Sequence, residues 1–188
     1  VVLAAVTREG EEAELLAAWA GLPAPRPLLL LVPRHPQRFD EVAALAAGAF
    51  PTVLRRSNWT EVPPPGAAQA DVWVGDSIGE MPLYYGMADA ALLGGSFAPL
   101  GGQNLIEAAA CGCPLVMGPH TFNFAAAAEL SIAAGAAERA TDIADGVRRA
   151  VAVATDPQRQ SRVQAALSFA AQHRGAAELV AEQVGSLL

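Results

Sequence analysis

Lysine is absent from this chain. All 12 basic residues are arginine, against 19 acidic ones, so the formal net charge at pH 7 is −7. A surface of that sign repels a phosphate backbone, and no arginine stripe interleaved with aromatics offsets it, so nucleic acid is excluded as a partner. Beside the abundance of alanine, the missing lysine reads as compositional bias and carries no chemistry. Cysteine is nearly as scarce. The two that occur, Cys111 and Cys113, flank one glycine. That is too close for a disulfide framework, and the further Cys or His spacing of a zinc site is missing, so no metal is expected. They read as reduced, packed thiols, as in a cytosolic protein. Apolar runs of the roughly 20 residues that span a bilayer are also missing. The longest, such as Pro27 to Pro33, are strand-sized, and the chain reads as soluble. No charged segment followed by an apolar one opens it in the manner of a signal peptide. Val1 reads as already inside a strand, so the chain is expected to be a piece of something longer.

What is present is an apolar core and a regular alternation. At 188 residues and 53% hydrophobic, the chain makes one domain, 1–188, with ample material to bury. Short apolar runs at Val1 to Val6, Leu28 to Val32, Val72 to Val74, Ala90 to Leu93 and Pro114 to Met117 read as strands, and Thr52 to Arg55 and Ala136 to Ala140 as two further short ones. Leu28 to Val32 is apolar throughout, as a central parallel strand covered on both faces requires. Between them lie helical segments, including Pro36 or Gln37 to Gly48, Met81 to Met87, Asn104 to Ala110, Asp142 to Ala154, Gln158 to Gln172 and Gly175 to Leu188. Strand and helix in alternation imply an α/β fold, a doubly wound parallel sheet with right-handed crossovers.

The organising stretch is Leu92 to Glu107, where a buried strand hands over through Gly94, Gly95, Gly101 and Gly102 to a helix start. Free N–H groups there suit a phosphate. The spacing is neither G-x-G-x-x-G nor a P-loop, however, and a plain strand-to-helix turn reads equally well. Glu9, Glu11 and Glu12 precede the first helix and read as carboxylates complementing its dipole in preference to catalysts. Arg34 stands just past the carboxyl end of a strand, where open α/β sheets bind ligands, and can pair with phosphate, stack on a base or simply sit in solvent. His35 reads as a cap or loop donor, because nothing nearby supports it as a general base. Ser77 and Glu80 match a capping box. Tyr84 and Tyr85 read as core or groove wall, and His120 as a candidate ligand contact.

Together these motifs resemble the carboxy-terminal half of the 3-deoxy-D-manno-oct-2-ulosonic acid (Kdo) transferases. The matching stretches are Thr7 to Glu12, Pro33 to Pro36, Gly75 to Glu80, Gly94 to Ser96, Gly101 to Glu107 and Met117 to Phe124. They stand in family order over roughly the first two thirds of the chain. Two departures are plain: Arg8 stands where the family has His, and Gln103 where it usually has His. The resemblance implies a Rossmann-like sheet forming the C-terminal half of a GT-B glycosyltransferase, with no cofactor and the donor CMP-Kdo as ligand. Carried over residue by residue, it implies CMP contacts at Pro33 and Arg34, at Ile78, Gly79 and Glu80, and at Asn104, Leu105, Ile106 and Glu107. Glu107 is suited to ribose hydroxyls, while Gly94, Gly95, Ser96 and His120 are wall. The implied reaction is inverting transfer of Kdo to a lipid A precursor in lipopolysaccharide biosynthesis. The catalytic base, the acceptor site and the membrane contact fall to the missing amino-terminal half, at the cytoplasmic face of the bacterial inner membrane. No catalytic residue is therefore expected in this chain, and helices from about residue 158 to 188 are expected to pack toward that half. The alternatives are another GT-B enzyme with a different sugar nucleotide, or a nucleotide-binding module without turnover.

Overall fold

A computed structural model describes residues 1–59 and 61–173. Seven strands, β1 (Val2–Thr7), β2 (Leu29–Pro33), β3 (Val53–Arg55), β4 (Val72–Val74), β5 (Ala90–Leu93), β6 (Leu115–Met117) and β7 (Ala137–Arg139), form one sheet in the order β3-β4-β2-β1-β5-β6-β7. Every pairing is parallel. The intervening helices are α1 (Glu11–Ala20), α2 (Phe39–Ala49), α3 (Met81–Met87), α4 (Ile106–Ala110), α5 (Ala125–Ala133), α6 (Ile143–Thr155) and α7 (Arg159–Gln172). Among the described residues no helix is long and apolar enough to cross a membrane.

Side chains alternate across a strand, so a sheet covered on both faces buries every position. Leu29 and Leu31 of β2 point into a layer formed with α1, α2 and α6, where Leu16, Trp19, Val42 and Val147 are buried. Leu30 and Val32 point the other way, into a layer with α3, α4, α5 and α7 that holds Tyr84, Tyr85, Ala108, Ala128 and Phe169. Burial pushes the Tyr84 hydroxyl up to about 12 and raises Tyr85 further. Helix α7, expected to face the absent half, buries Ala166, Phe169 and Ala170 in this same layer. The helix read over Gly175 to Leu188 lies outside the described residues.

Helix starts differ from their sequence reading at several places: α2 begins at Phe39, after a 3-10 turn over Pro36–Arg38 where the sequence reading opens the helix. Helix α4 begins at Ile106, not Asn104, because the Asn104 Oδ1 accepts the Ile106 amide at 3.0 Å and holds that turn outside the helix. The Ser77 and Glu80 capping box is not formed. Helix α3 starts after Glu80 with no side-chain cap, and Ser77 Oγ donates to the Glu80 carboxylate instead of taking a backbone amide.

All seven strands present their carboxyl ends to one edge. From β1 the chain winds through α1 to β2 on one side, and from β5 through α4 to β6 on the other. The ends of β1 and β5 therefore flank the switch point at which doubly wound sheets leave a ligand crevice. At that point β1 is irregular. Val6 adopts φ 50, a left-handed conformation that is strained for a β-branched residue. The register with β2 also shifts between Ala4 and Thr7. Such bulges re-aim the residues that follow, here Arg8.

Candidate nucleotide-binding site

The carboxyl edge is assembled by contacts between loops far apart in sequence. The Arg34 amide donates to the Thr7 carbonyl at 3.0 Å, which locks the turn after β2 to the end of β1. Beside it opens a cleft of about 170 Å³ whose walls include Val6, Pro33, Arg34, Ile78 and Gly79. The structure thus brings the first two sequence-derived segments together. Ile78 is 80% exposed and Gly79, at φ 84, turns the chain in a conformation that glycine tolerates without strain. Asn104 and Glu107 are exposed on the same edge but outside the walls of this cleft, and Leu105 is fully buried. His120 lies in a separate groove of about 420 Å³ with Glu9, Glu14, Phe97 and Asp142.

The glycine loop after β5 already holds an anion, and it belongs to the chain. Glu11 is 3% exposed. Its carboxylate accepts the Gly95 amide at 2.8 and 2.9 Å, the Phe97 and Ala98 amides at 3.2 Å and the Arg8 amide at 2.9 Å. The amides that a phosphate would use are therefore occupied. Gly94 is required for a different reason from ligand approach, since a Cβ there would meet Thr7 Cα and Val6 O of β1, both at 2.6 Å. Ser96 is fully buried, its hydroxyl donating to the Leu93 carbonyl and accepting the Gly118 amide at 2.8 Å, so it ties β5 to β6 and faces away from solvent.

Two more carboxylates fasten the Gly75 to Glu80 loop to the turn after β3. Asp76 accepts the Ser57 amide at 2.8 Å, its hydroxyl at 2.6 Å and Arg55 Nε at 2.6 Å. Burial alone would raise this carboxyl; the Ser57 bonds and Arg55 outweigh it and hold the group below the ordinary carboxylate range. Glu80 takes hydrogen bonds from Ser77, from Tyr84 at 3.0 Å and from Arg56 at 2.7 Å, which lower its pKa as well. With its oxygens so engaged, Glu80 can meet a ligand only through its backbone. Behind the cleft, Glu12 is fully buried and joins Thr7 at 2.9 Å to Arg38 at 2.7 Å, leaving Oε2 without a partner. None of these partnerships spans fewer than three residues, and only Glu80 with Ser77 was suggested by local spacing.

Against this background two cations stand out. Among the described residues every arginine except Arg8 and Arg34 lies within ion-pair distance of a carboxylate. Arg34 is exposed and Arg8 half-buried, and they emerge from the ends of neighbouring strands. In a chain of net charge −7, unpaired guanidinium groups at the ligand-binding edge can take an anion without first breaking an ion pair. Among the described residues no group of three or more His, Cys, Asp or Glu could hold a metal ion.

A seven-stranded all-parallel sheet with helices on both faces and this switch point has the architecture of the C-terminal half of a GT-B glycosyltransferase. The same architecture occurs in the glycotransferase of kitacinnamycin, with TM-score 0.53 and 22% identity over 97% of this chain and 42% of that one. The crystal structure of the C-terminal CMP-Kdo binding domain of WaaA from Acinetobacter baumannii matches with TM-score 0.80 and 32% identity, over 89% of this chain and 87% of that one. The 3-deoxy-D-manno-octulosonic acid transferase of Bordetella pertussis is 50% identical over 182 residues, 94% of this chain and 42% of that protein. The Haemophilus influenzae transferase is 39% identical over 151 residues, 79% of this chain and 34% of that protein. The chain belongs to the 3-deoxy-D-manno-octulosonic acid transferase family. It spans less than half the length of these curated relatives. No protein-family model matches the chain.

Proposed function

We propose that this chain is the donor domain of a Kdo transferase, holding the CMP portion of CMP-Kdo at its carboxyl edge. The observation that carries this reading is Arg34, whose backbone amide is held by the Thr7 carbonyl and whose guanidinium, without a carboxylate partner among the described residues, stands at the cleft it shares with Ile78 and Gly79. It supplies planar, charge-assisted hydrogen bonds to a phosphate. Pro33 and the backbones of Ile78, Gly79 and Glu80 form the walls, with Glu80 acting through its main chain because its carboxylate is committed to Arg56. Leu105 is buried and Asn104 and Glu107 are exposed. In this reading the turn into α4 contributes backbone, and Glu107 accepts ribose hydroxyl protons.

The whole protein would then transfer Kdo, with inversion, to a lipid A precursor at the cytoplasmic face of the inner membrane. The departing CMP phosphate is stabilised by donors of this domain. The base that takes the acceptor proton, together with the acceptor site and membrane contact, lies in the remainder of the longer protein, and this chain contributes no catalytic residue.

Calorimetric titration with CMP, UMP and AMP tests the donor reading. CMP is expected to bind in preference to the other two. Arg34→Ala is expected to lose at least about tenfold in CMP affinity, as a charged hydrogen bond worth about 1.5 to 3 kcal/mol disappears. Equal affinity for all three nucleotides, or an unaffected variant, would reduce these loops to ordinary turns.

A further inference from the structure

We propose that Arg8 binds a second anionic group of the same donor, the carboxylate of the sugar acid, while Arg34 binds the phosphate. The inference rests on the donor reading above and adds to it a residue with a separate role. In a CMP-linked 2-ulosonic acid the anomeric carbon carries both the phosphate oxygen and the carboxylate. Such a ligand presents two negative charges a few ångströms apart. The structure supplies two cations without carboxylate partners among the described residues, one at the end of each of two adjacent strands. Arg8 follows β1 and Arg34 follows β2, adjacent strands whose axes run about 4.8 Å apart. The bond from the Arg34 amide to the Thr7 carbonyl, 3.0 Å, keeps the two turns side by side.

The surroundings of Arg8 fit a binding group better than a structural one. Its amide is bound to Glu11 at 2.9 Å, which fixes its backbone, yet its guanidinium has no carboxylate partner among the described residues. Glu11 spends its oxygens on the Arg8 amide and the amides of the glycine loop. Those amides are then closed to any outside anion, so charge recognition at the switch point falls to side chains. The Arg8 stem crosses Gly95, where a Cβ would meet Arg8 Cγ at 3.5 Å and Gln103 Nε2 at 3.2 Å. The Arg8 stem and the Gln103 amide therefore both pack over a residue with no side chain of its own. A guanidinium and an amide both offer hydrogen-bond donors to a carboxylate, and the guanidinium keeps its charge at any working pH.

The test compares affinities of this chain for CMP and for CMP-Kdo in the parent, Arg8→Gln and Arg34→Gln. The parent is expected to bind CMP-Kdo more tightly than CMP. Arg8→Gln should lose about tenfold in CMP-Kdo affinity through the missing charge-assisted bonds. Its CMP affinity should stay within about twofold, because a screened surface charge contributes little at a distance. Arg34→Gln should weaken both ligands. Equal losses for CMP and CMP-Kdo in Arg8→Gln, or no loss for either, would overturn the assignment. A parent that binds neither ligand would instead overturn the donor reading, a result visible before any variant is made.

Discussion

Glu11→Ala is expected to destabilise the fold by on the order of 3 to 5 kcal/mol, because a buried carboxylate that satisfies several amides is removed and the amides are left bare. The amides concerned are those of Arg8, Gly95, Phe97 and Ala98, which belong to two loops that meet at the centre of the sheet edge. Had Glu11 done no more than complement the α1 dipole, the loss would be about 0.3 to 1 kcal/mol. The two values are far enough apart for thermal unfolding to separate them, with a drop of roughly 6 to 20 °C expected for a domain of this size. Glu14→Ala provides the internal comparison. It lies in the same first turn of α1 and is exposed, so its effect should stay within about 0.5 kcal/mol. Similar losses for both variants would mean that Glu11 is a dipole residue after all.

The second large effect concerns the close approach of β5 to β1. Gly94→Ala places a Cβ 2.6 Å from Thr7 Cα and Val6 O and 2.8 Å from Ala5 O, all of them main-chain atoms of β1. Main chain in the middle of a sheet cannot swing aside as a side-chain tip does, so one of the two central strands must move. Overpacking of this kind costs about 1 to 3 kcal/mol and occasionally more, and this site is expected at or above the upper end. Gly48→Ala in α2, where nothing lies within 4 Å, should instead gain about 0.5 to 1 kcal/mol. Denaturant melts of the two variants should shift in opposite directions, and a Gly94→Ala protein as stable as the parent would show that the loop glycines are dispensable to the fold.

The fold was legible in the sequence because each strand and helix announces itself over a few consecutive residues. All seven strands fall where the alternation places them; the central ones stand on short apolar runs, the edge strands β3 and β7 carry charged residues, and Leu29 to Val32 is apolar throughout because both faces of β2 are covered. The edge chemistry was less legible, for the opposite reason. Glu11 meets its amides across 84 to 87 residues, and from its own neighbourhood it looks like any acidic residue opening a helix. Arg56 and Glu80 are likewise 24 residues apart. Nothing around Ser77 foretells that an arginine from the β3 turn will draw the Glu80 carboxylate away from a cap. Reading the glycine loop as a phosphate cradle rested on its amides being free, and only the folded chain shows that they are taken. Arg34 was visible from position alone, since a residue just past a parallel strand must reach the ligand edge. That neither Arg34 nor Arg8 has a carboxylate partner among the described residues is a property of the charge distribution across the fold and cannot be read from any one stretch.

In the proposed donor site the nucleotide sits against Arg34, Ile78, Gly79 and the turn into α4, while the glycine loop remains bound to Glu11. Amide chemical shifts of the isotope-labelled chain during a CMP titration test it most directly. The account predicts the largest changes at Arg34, Ile78, Gly79 and Asn104 to Glu107, with Gly95, Phe97 and Ala98 nearly unmoved. Largest changes at Gly95 to Ala98, or in the groove of Glu9 and His120, would contradict it.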